Sequence, residues 1–354
     1  FIISVPTPIT DDKKADLRYV MDASSSIVPH LRRENLVILE STVPPGTLEE
    51  TVAPILEQSG LRPGEDFHLA HCPERVIPGR VIVELMENDR VIGGINKVSA
   101  EKARELYRSF VRGNIFLTSA RTAEMVKLME NVFRDVNIAL ANELALIAED
   151  QGIDVWEAIS LANKHPRVNI HQPGPGVGGH CIAVDPWFIV EGNPDLARLI
   201  RSSRAVNDSM PDHVVKTVAS CFGEPSGKVI AVLGVAYKAN VDDARESPAL
   251  PIIISLKAMG FEVRIHDPLV SDFSFDLEPL ESVLDQADCL ILLTNHEDYR
   301  DLTPEKASGL MRGRTVIDTR GFLAADAWER AGFEARTLGR GSTRGEPAIS
   351  TSPH

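Results

Sequence analysis

The sequence predicts an α/β protein: two runs of alternating strands and helices on either side of a long helical segment. Three observations carry this. Short apolar runs alternate with amphipathic stretches over residues 1–120, the segment 120–165 reads as wholly helical, and the alternation resumes over 225–335. Four segments follow: 1–118, 119–222, 223–338 and a small, polar tail, 339–354, expected to be disordered.

In order, FIISV reads as a strand, 16–31 as a helix, and LVILEST as a fully buried strand closed by Pro44, Pro45 and Gly46. A helix is expected from Thr47 to about Ser59, then the strand-to-loop transitions HLAHCPER and DRVIGG, and a helix near 99–111. The run from Thr122 to Gly152 holds apolar residues at helical spacing and no proline, with Gly152 as its stop and Asp154 capping the next helix. In the second unit, KVIAVLG, FEVRIHDP, DCLILLT and RTVIDTRG read as strands, and SPALPIIISLKAMG as a helix with Pro248 near its start. Strand ends matter most, because open α/β sheets bind ligands beyond the carboxyl ends of their strands. The chain opens directly on an apolar strand at Phe1 with no glycine-rich turn before it, so the first unit is expected to lack its N-terminal half.

The 354 residues can bury two or three cores, and the hydrophobic and charged contents are those of an ordinary globular protein. The four cysteines (Cys72, Cys181, Cys221 and Cys289) form no CxxC pair, which argues against a disulfide framework or metal centre and for a reducing, cytoplasmic setting. No apolar run approaches a membrane span, and a net charge of −14 disfavours nucleic acid as a partner. An anionic substrate would therefore need a local cluster of basic residues.

The most informative stretch is PGPGVGGHCIAVDPWF, residues 173–188. Cys181 follows a glycine-rich loop that backbone or ligand can approach closely, beside His180 and Asp185, which suits a covalent nucleophile. The plainer alternative is a small buried hydrophobe. Gly174, Gly176 and Gly179 satisfy G-x-G-x-x-G, but no strand leads in and Pro186 falls where a helix should open, so the run reads as a substrate loop and not a phosphate cradle. On the long helix, Lys127, Asn131 and Arg134 form a polar stripe flanked by Met125, Leu128, Met129, Val132 and Phe133, which reads as a pocket wall rather than a solvated face. Asp267 ends the strand FEVRIHDP, where Rossmann-like domains place an acid against a ribose, although only Gly234 marks the preceding turn.

The order of these motifs resembles the nucleotide-sugar 6-dehydrogenase family (UDP-glucose and GDP-mannose dehydrogenases), from residue 1 to about 325. That resemblance implies a Rossmann-like NAD domain, N-terminally incomplete here, a central long-helix dimerisation domain, and a C-terminal Rossmann-like UDP-binding domain. It implies NAD-dependent oxidation of a primary alcohol to a carboxylate, and the wording around Cys181, with Val184 before Asp185, points within the family to UDP-N-acetyl-D-mannosamine as substrate. The same resemblance implies a homodimer or tetramer through the central helix.

Carried over by motif, Cys181 is expected to form a thiohemiacetal and then a thioester. Lys127 and Asn131 would stabilise the oxyanion, Asp185 would position or deprotonate water with Thr42, and Glu74 of CPER would serve as general base. Substrate contacts would come from Arg75, Val76, Lys127, Asn131, Arg134, His165, Arg167, Gly178 (where the sugar would lie against backbone), Tyr237, Lys238 and Arg320. NAD contacts would come from Val5, Pro6, Thr7, Ser41, Thr42, Val43 and Arg245. The alternatives are a UDP-glucose or UDP-N-acetylglucosamine 6-dehydrogenase, a non-catalytic UDP-sugar-binding fragment, and a β-hydroxyacid dehydrogenase relative, against which the cysteine motif counts.

Overall fold

Alternate residues of the central strands face opposite cores. In β6 (Val229–Leu233), Ile230 and Val232 join one apolar cluster while Val229, Ala231 and Leu233 join another. In β2 (Leu36–Leu39), Val37 and Leu39 lie on one side and Ile38 on the other. Strands buried on both faces carry the near-continuous apolar runs of a helix-covered sheet. Full burial of each Val, Leu or Ile side chain stabilises by roughly 1.5–3 kcal/mol.

The structure is a computed structural model that describes residues 1–76 and 80–341. It divides into two compact units: Phe1–Arg134 with Val184–Arg201, and Asp135–Ala183 with the chain from Ser202 onward. The first unit holds a five-stranded sheet in the order β1 (Ile2–Ile3), β2, β3 (His68–His71), β4 (Arg90–Gly94), β5 (Ile115–Ser119). All neighbours are parallel except β3 and β4, which are antiparallel. The carboxyl ends of β1, β2 and β3 therefore open together, and there lie Val5–Thr7, Ser41–Val43 and Cys72–Val76. A helix over Asp185–Gly192 belongs to this unit, although the sequence reading expected Pro186 to prevent one. Proline is tolerated in the first turn, where its missing N–H has no helical partner to lose.

The second unit carries an all-parallel sheet, β6 beside β7 (Glu262–His266) on one side and β8 (Cys289–Leu292), β9 (Thr315–Asp318) and β10 (Glu334–Thr337) on the other. The chain reverses its direction of travel between β6 and β8, a topological switch point of the kind that holds ligands in open α/β sheets. The long helix runs over Ala120–Gln151 and stops at Gly152, whose φ is +72°. Asp154 caps the next helix, Val155–Ala162, by accepting from the Trp156 and Glu157 N–H groups. A second long helix, Arg198–Ser220, with Pro211 inside it, has no counterpart in the sequence reading. Of the tail expected over 339–354, residues 342–354 lie outside the described residues. Residues 339–341 are packed: Val155 N–H donates to the Gly339 carbonyl, and Gly341 N–H donates to Ile153.

Candidate active-site residues

In the first unit the long helix and the Asp185–Gly192 helix bring four predicted residues together. Val184 and Phe188 pack on Leu128, which sets Asp185 against the helix turn carrying Lys127 and Asn131. The Asn131 amide donates to the Asp185 carboxylate, and its carbonyl oxygen accepts from Arg134. Asn131 is fully buried, Asp185 is 3% exposed and Lys127 is 9% exposed. Burial pushes the Asp185 carboxyl up to about 6, against the Asn131 hydrogen bond and the charges of Lys127 and Arg134. A carboxyl whose titration is raised toward neutrality can take a proton and give it back.

The strand-end loops of this unit are tightly tied. The Ser41 hydroxyl accepts from Val5 N–H at 2.9 Å and donates to the Val5 carbonyl at 2.7 Å, fixing the loop after β1 against the end of β2. Glu124, which the sequence reading passed over, accepts from Gly46 and Leu48 N–H at 2.5 and 2.8 Å. Burial pushes its carboxyl up to about 7 despite those donors. Thr7 presents a buried hydroxyl oxygen with no hydrogen-bond partner. An orphaned buried hydroxyl at the mouth of three parallel strands fits a dinucleotide at this edge. After β3, Glu74 accepts from Arg75 N–H at 2.6 Å and lies 3.7 Å from the buried Arg90. The Arg75 guanidinium pairs with Glu130 at 2.6 Å and donates to the Asp89 carbonyl, so its charge is already matched within the chain. Val76 is the last described residue before 80, and Thr42 is half-buried beside Ser41.

In the second unit the glycine loop folds onto the segment after β6. No strand leads into it, as the sequence predicted. Gly174 N–H donates to Asn142, itself bonded to Asn207, and a Cβ at Gly174 would meet the Arg320 guanidinium at 2.6 Å. A Cβ at Gly178 would lie 2.5 Å from the Glu246 carbonyl oxygen, so this close approach of backbone requires glycine. Gly179, at φ +84°, faces the Tyr237 ring. Cys181 is exposed at the end of this loop, so the buried-hydrophobe alternative does not hold. His180 lies 3.4 Å from Asp243, and Asp243 also pairs bidentately with Arg245. Burial raises the Tyr237 phenol, with the charges of Asp243 and Cys181 adding to it. Lys238 is exposed on the same loop. Arg320 donates to the Leu293 carbonyl at 2.8 Å, and burial pulls its guanidinium down to about 10 against the opposing charge of Asp318. His165 and Arg167 sit on an exposed loop where the imidazole accepts from Arg167 N–H at 3.3 Å.

Asp267 corrects one expectation. Its carboxylate accepts from the N–H groups of Val235, Ala236, Leu269 and Val270 and lies 3.1 Å from the His296 ring. Burial alone would raise this carboxyl, but His296 and the backbone donors outweigh it and hold the group well below the usual range. With its oxygens so occupied, Asp267 organises the chain and is not placed to receive a ribose. A cavity of about 640 Å³ in this unit, along β9, β10 and the Arg198–Ser220 helix, is lined by none of the predicted residues. Among the described residues no group of three or more His, Cys, Asp or Glu is placed to hold a metal ion, and no helix is long and apolar enough to cross a membrane.

Three family profiles match in series: the UDP-glucose/GDP-mannose dehydrogenase family's NAD binding domain over residues 1–111, its central domain over 121–209, and its UDP binding domain over 231–325. A UDP-N-acetyl-D-mannosamine dehydrogenase of Methanocaldococcus jannaschii is 50% identical over 347 residues, covering 96% of this chain and 79% of that protein. An NDP-N-acetyl-D-galactosaminuronic acid dehydrogenase of Ralstonia solanacearum is 49% identical over 342 residues, covering 92% and 79%. Among solved structures, a UDP-D-ManNAc dehydrogenase from Pyrococcus horikoshii superposes with a TM-score of 0.90 at 46% identity, covering 97% of this chain and 81% of that one.

Proposed function

The chain belongs to the UDP-glucose/GDP-mannose dehydrogenase family of NAD-dependent nucleotide-sugar oxidoreductases, and from that premise we propose that it oxidises C6 of UDP-N-acetyl-D-mannosamine to the carboxylate. The observation that carries the substrate is the 50% identity, over nearly the whole chain, to a protein of that name. A second reading, an N-acetylgalactosamine-type nucleotide sugar, is favoured by the 49% identity to the Ralstonia protein.

NAD, when bound, would supply the acceptor for the hydride that leaves C6 as the hydroxyl gives up its proton. The strand-end residues Val5, Thr7, Ser41 and Thr42 are the groups proposed to hold it, supported by the tied loop and the orphaned Thr7 hydroxyl. Arg245 is a weaker candidate, because Asp243 already engages it. Once C6 is an aldehyde, the Cys181 thiolate adds to the carbon: a C–S bond forms and the carbonyl oxygen takes up the electron pair. Lys127 and Asn131 offset that negative charge. Loss of a second hydride from that carbon to NAD would let the oxygen re-form the carbonyl, leaving a thioester. Asp185 or Glu74 takes a proton from water, the water oxygen bonds to carbon, and the C–S bond breaks to return the thiolate. The raised Asp185 carboxyl supports it as the base.

The nucleotide is proposed to meet the second unit at the switch point, against Tyr237, Lys238 and Arg320 at the ends of β6 and β9. Arg134, His165 and Arg167 are further candidates for the sugar or phosphate. Pairing of two copies along the long helix is supported by exposed Met129, Leu140 and Ile147, whose spacings of 11 and 7 residues keep them within about 20° on one helix face.

The test is turnover with UDP-N-acetylmannosamine, UDP-N-acetylgalactosamine, UDP-N-acetylglucosamine and UDP-glucose. The proposal expects the mannosamine sugar to give the highest kcat/KM, with two NADH per sugar. Cys181→Ser is expected to lower kcat by about 10³-fold or more. Full product at the normal rate from that variant would overturn the thioester route.

A further inference from the structure

The loop Gly234–Asn240, after β6, is held at both of its ends. Gly234 N–H donates to the His266 carbonyl at 2.8 Å. The next two N–H groups, Val235 and Ala236, go to Asp267 at 2.7 and 3.1 Å, and the Thr294 hydroxyl donates to the Ala236 carbonyl at 2.6 Å. At the far end, Asn240 N–H donates to Nδ1 of His296 at 3.0 Å, while Nε2 of the same ring lies 3.1 Å from Asp267. Asn240 itself sits at φ +60°, and its side-chain oxygen accepts from Glu297 N–H at 2.9 Å.

These contacts fix the proton on the ring. A nitrogen that accepts an N–H bond carries no hydrogen, so Nδ1 is bare and Nε2–H donates to Asp267. His296 is fully buried and both its nitrogens are used. It bridges the carboxylate that sets the start of the loop and the amide that sets its end. Between those two points lies Lys238, exposed at the switch point.

We propose that His296 is a positioning residue for the nucleotide: its neutral ring, seated on Asp267, latches the Asn240 end of the loop and so sets the affinity for the UDP part of the substrate. This rests on the reading above that Lys238 meets the diphosphate. An unlatched loop must order itself when UDP binds, and that ordering lowers affinity without altering the chemistry at C6.

The experiment is UDP titration by calorimetry on the full chain, with kcat and KM measured alongside. His296→Gln reaches Asp267 but leaves Asn240 N–H unpaired. It is expected to weaken UDP binding by about tenfold, the loss of one hydrogen bond, with kcat at saturating UDP-sugar unchanged. His296→Asn keeps an oxygen near the Nδ1 position and is expected to restore most of that affinity. Lys238→Ala separates the two ideas. If it binds UDP normally, the loop does not meet the nucleotide and both readings fall. If it binds weakly while His296→Gln binds normally, the latch alone is overturned. Should His296→Gln fail to fold, the ¹⁵N spectrum of histidine-labelled wild type decides: a protonated Nδ1 on His296 overturns the proposal, and a bare one supports it.

Discussion

Asp185 in the first unit and Asp267 in the second are both buried carboxyl groups, 3% and 7% exposed, yet their protonation behaviour is opposite. Asp185 has one side-chain amide as its hydrogen-bond donor and two cations nearby, and burial wins, lifting it to about 6. Asp267 receives four backbone N–H groups and an imidazole, and these win, holding it well below the carboxylate range. Burial therefore does not by itself set the direction in which a carboxyl shifts. In this pair the fixed donors decide the direction: four backbone N–H groups and an imidazole hold Asp267 down, while a single amide leaves Asp185 raised.

The largest test of this contrast is Asp185→Asn. It is expected to lower kcat by about 10²–10⁴-fold while raising stability at pH 8. The sign follows from linkage. With a folded value near 6 and an ordinary value of 3.8, the native state binds more protons than the unfolded one between those limits. Stability thus falls as pH rises through that window, and removing the charge recovers on the order of 1–3 kcal/mol above it, read by denaturant unfolding.

Asp267→Asn should do the reverse. An amide NH₂ would face backbone donors, costing about 2–4 kcal/mol, while kcat of the folded fraction stays near wild type. A kcat collapse at full stability in this variant would break the comparison. An effect confined to stability is expected at Glu124→Gln. Burial sets the wild-type carboxyl near 7 against an ordinary 4.5, so wild-type stability declines as pH rises through that range. The amide variant should remove this group's share of the decline, on the order of 1–3 kcal/mol, visible as a shallower fall of Tm between pH 5 and 8 than wild type shows.

Much of this was legible in sequence where the signal was local. Gly152 and Asp154 marked the end of one helix and the start of the next because left-handed backbone and capping oxygens are chemical needs of those positions. The apolar runs of β2, β6 and β8 were legible because burial on both faces leaves no polar alternation. The stripe Lys127, Asn131 and Arg134 was visible at helical spacing, and its partner Asp185 was singled out by its motif. What was missed had no local mark. Pro186 looked like a helix breaker until its place in the first turn was known. Glu124 is one acid among many on an acidic chain, and only the turn at Gly46–Leu48 makes it a tether.

The sequence by itself determined the α/β class, the long helix and the glycine-rich loop at Cys181, because periodicity, caps and glycine conformations act over a few residues. Tertiary structure alone decided that β3 and β4 run antiparallel, that Gly178 makes room for the Glu246 carbonyl, and that Asp267 serves the backbone while Asp185 stays titratable. Those outcomes depend on which donors and atoms arrive from distant parts of the chain, and no local pattern encodes an arrival.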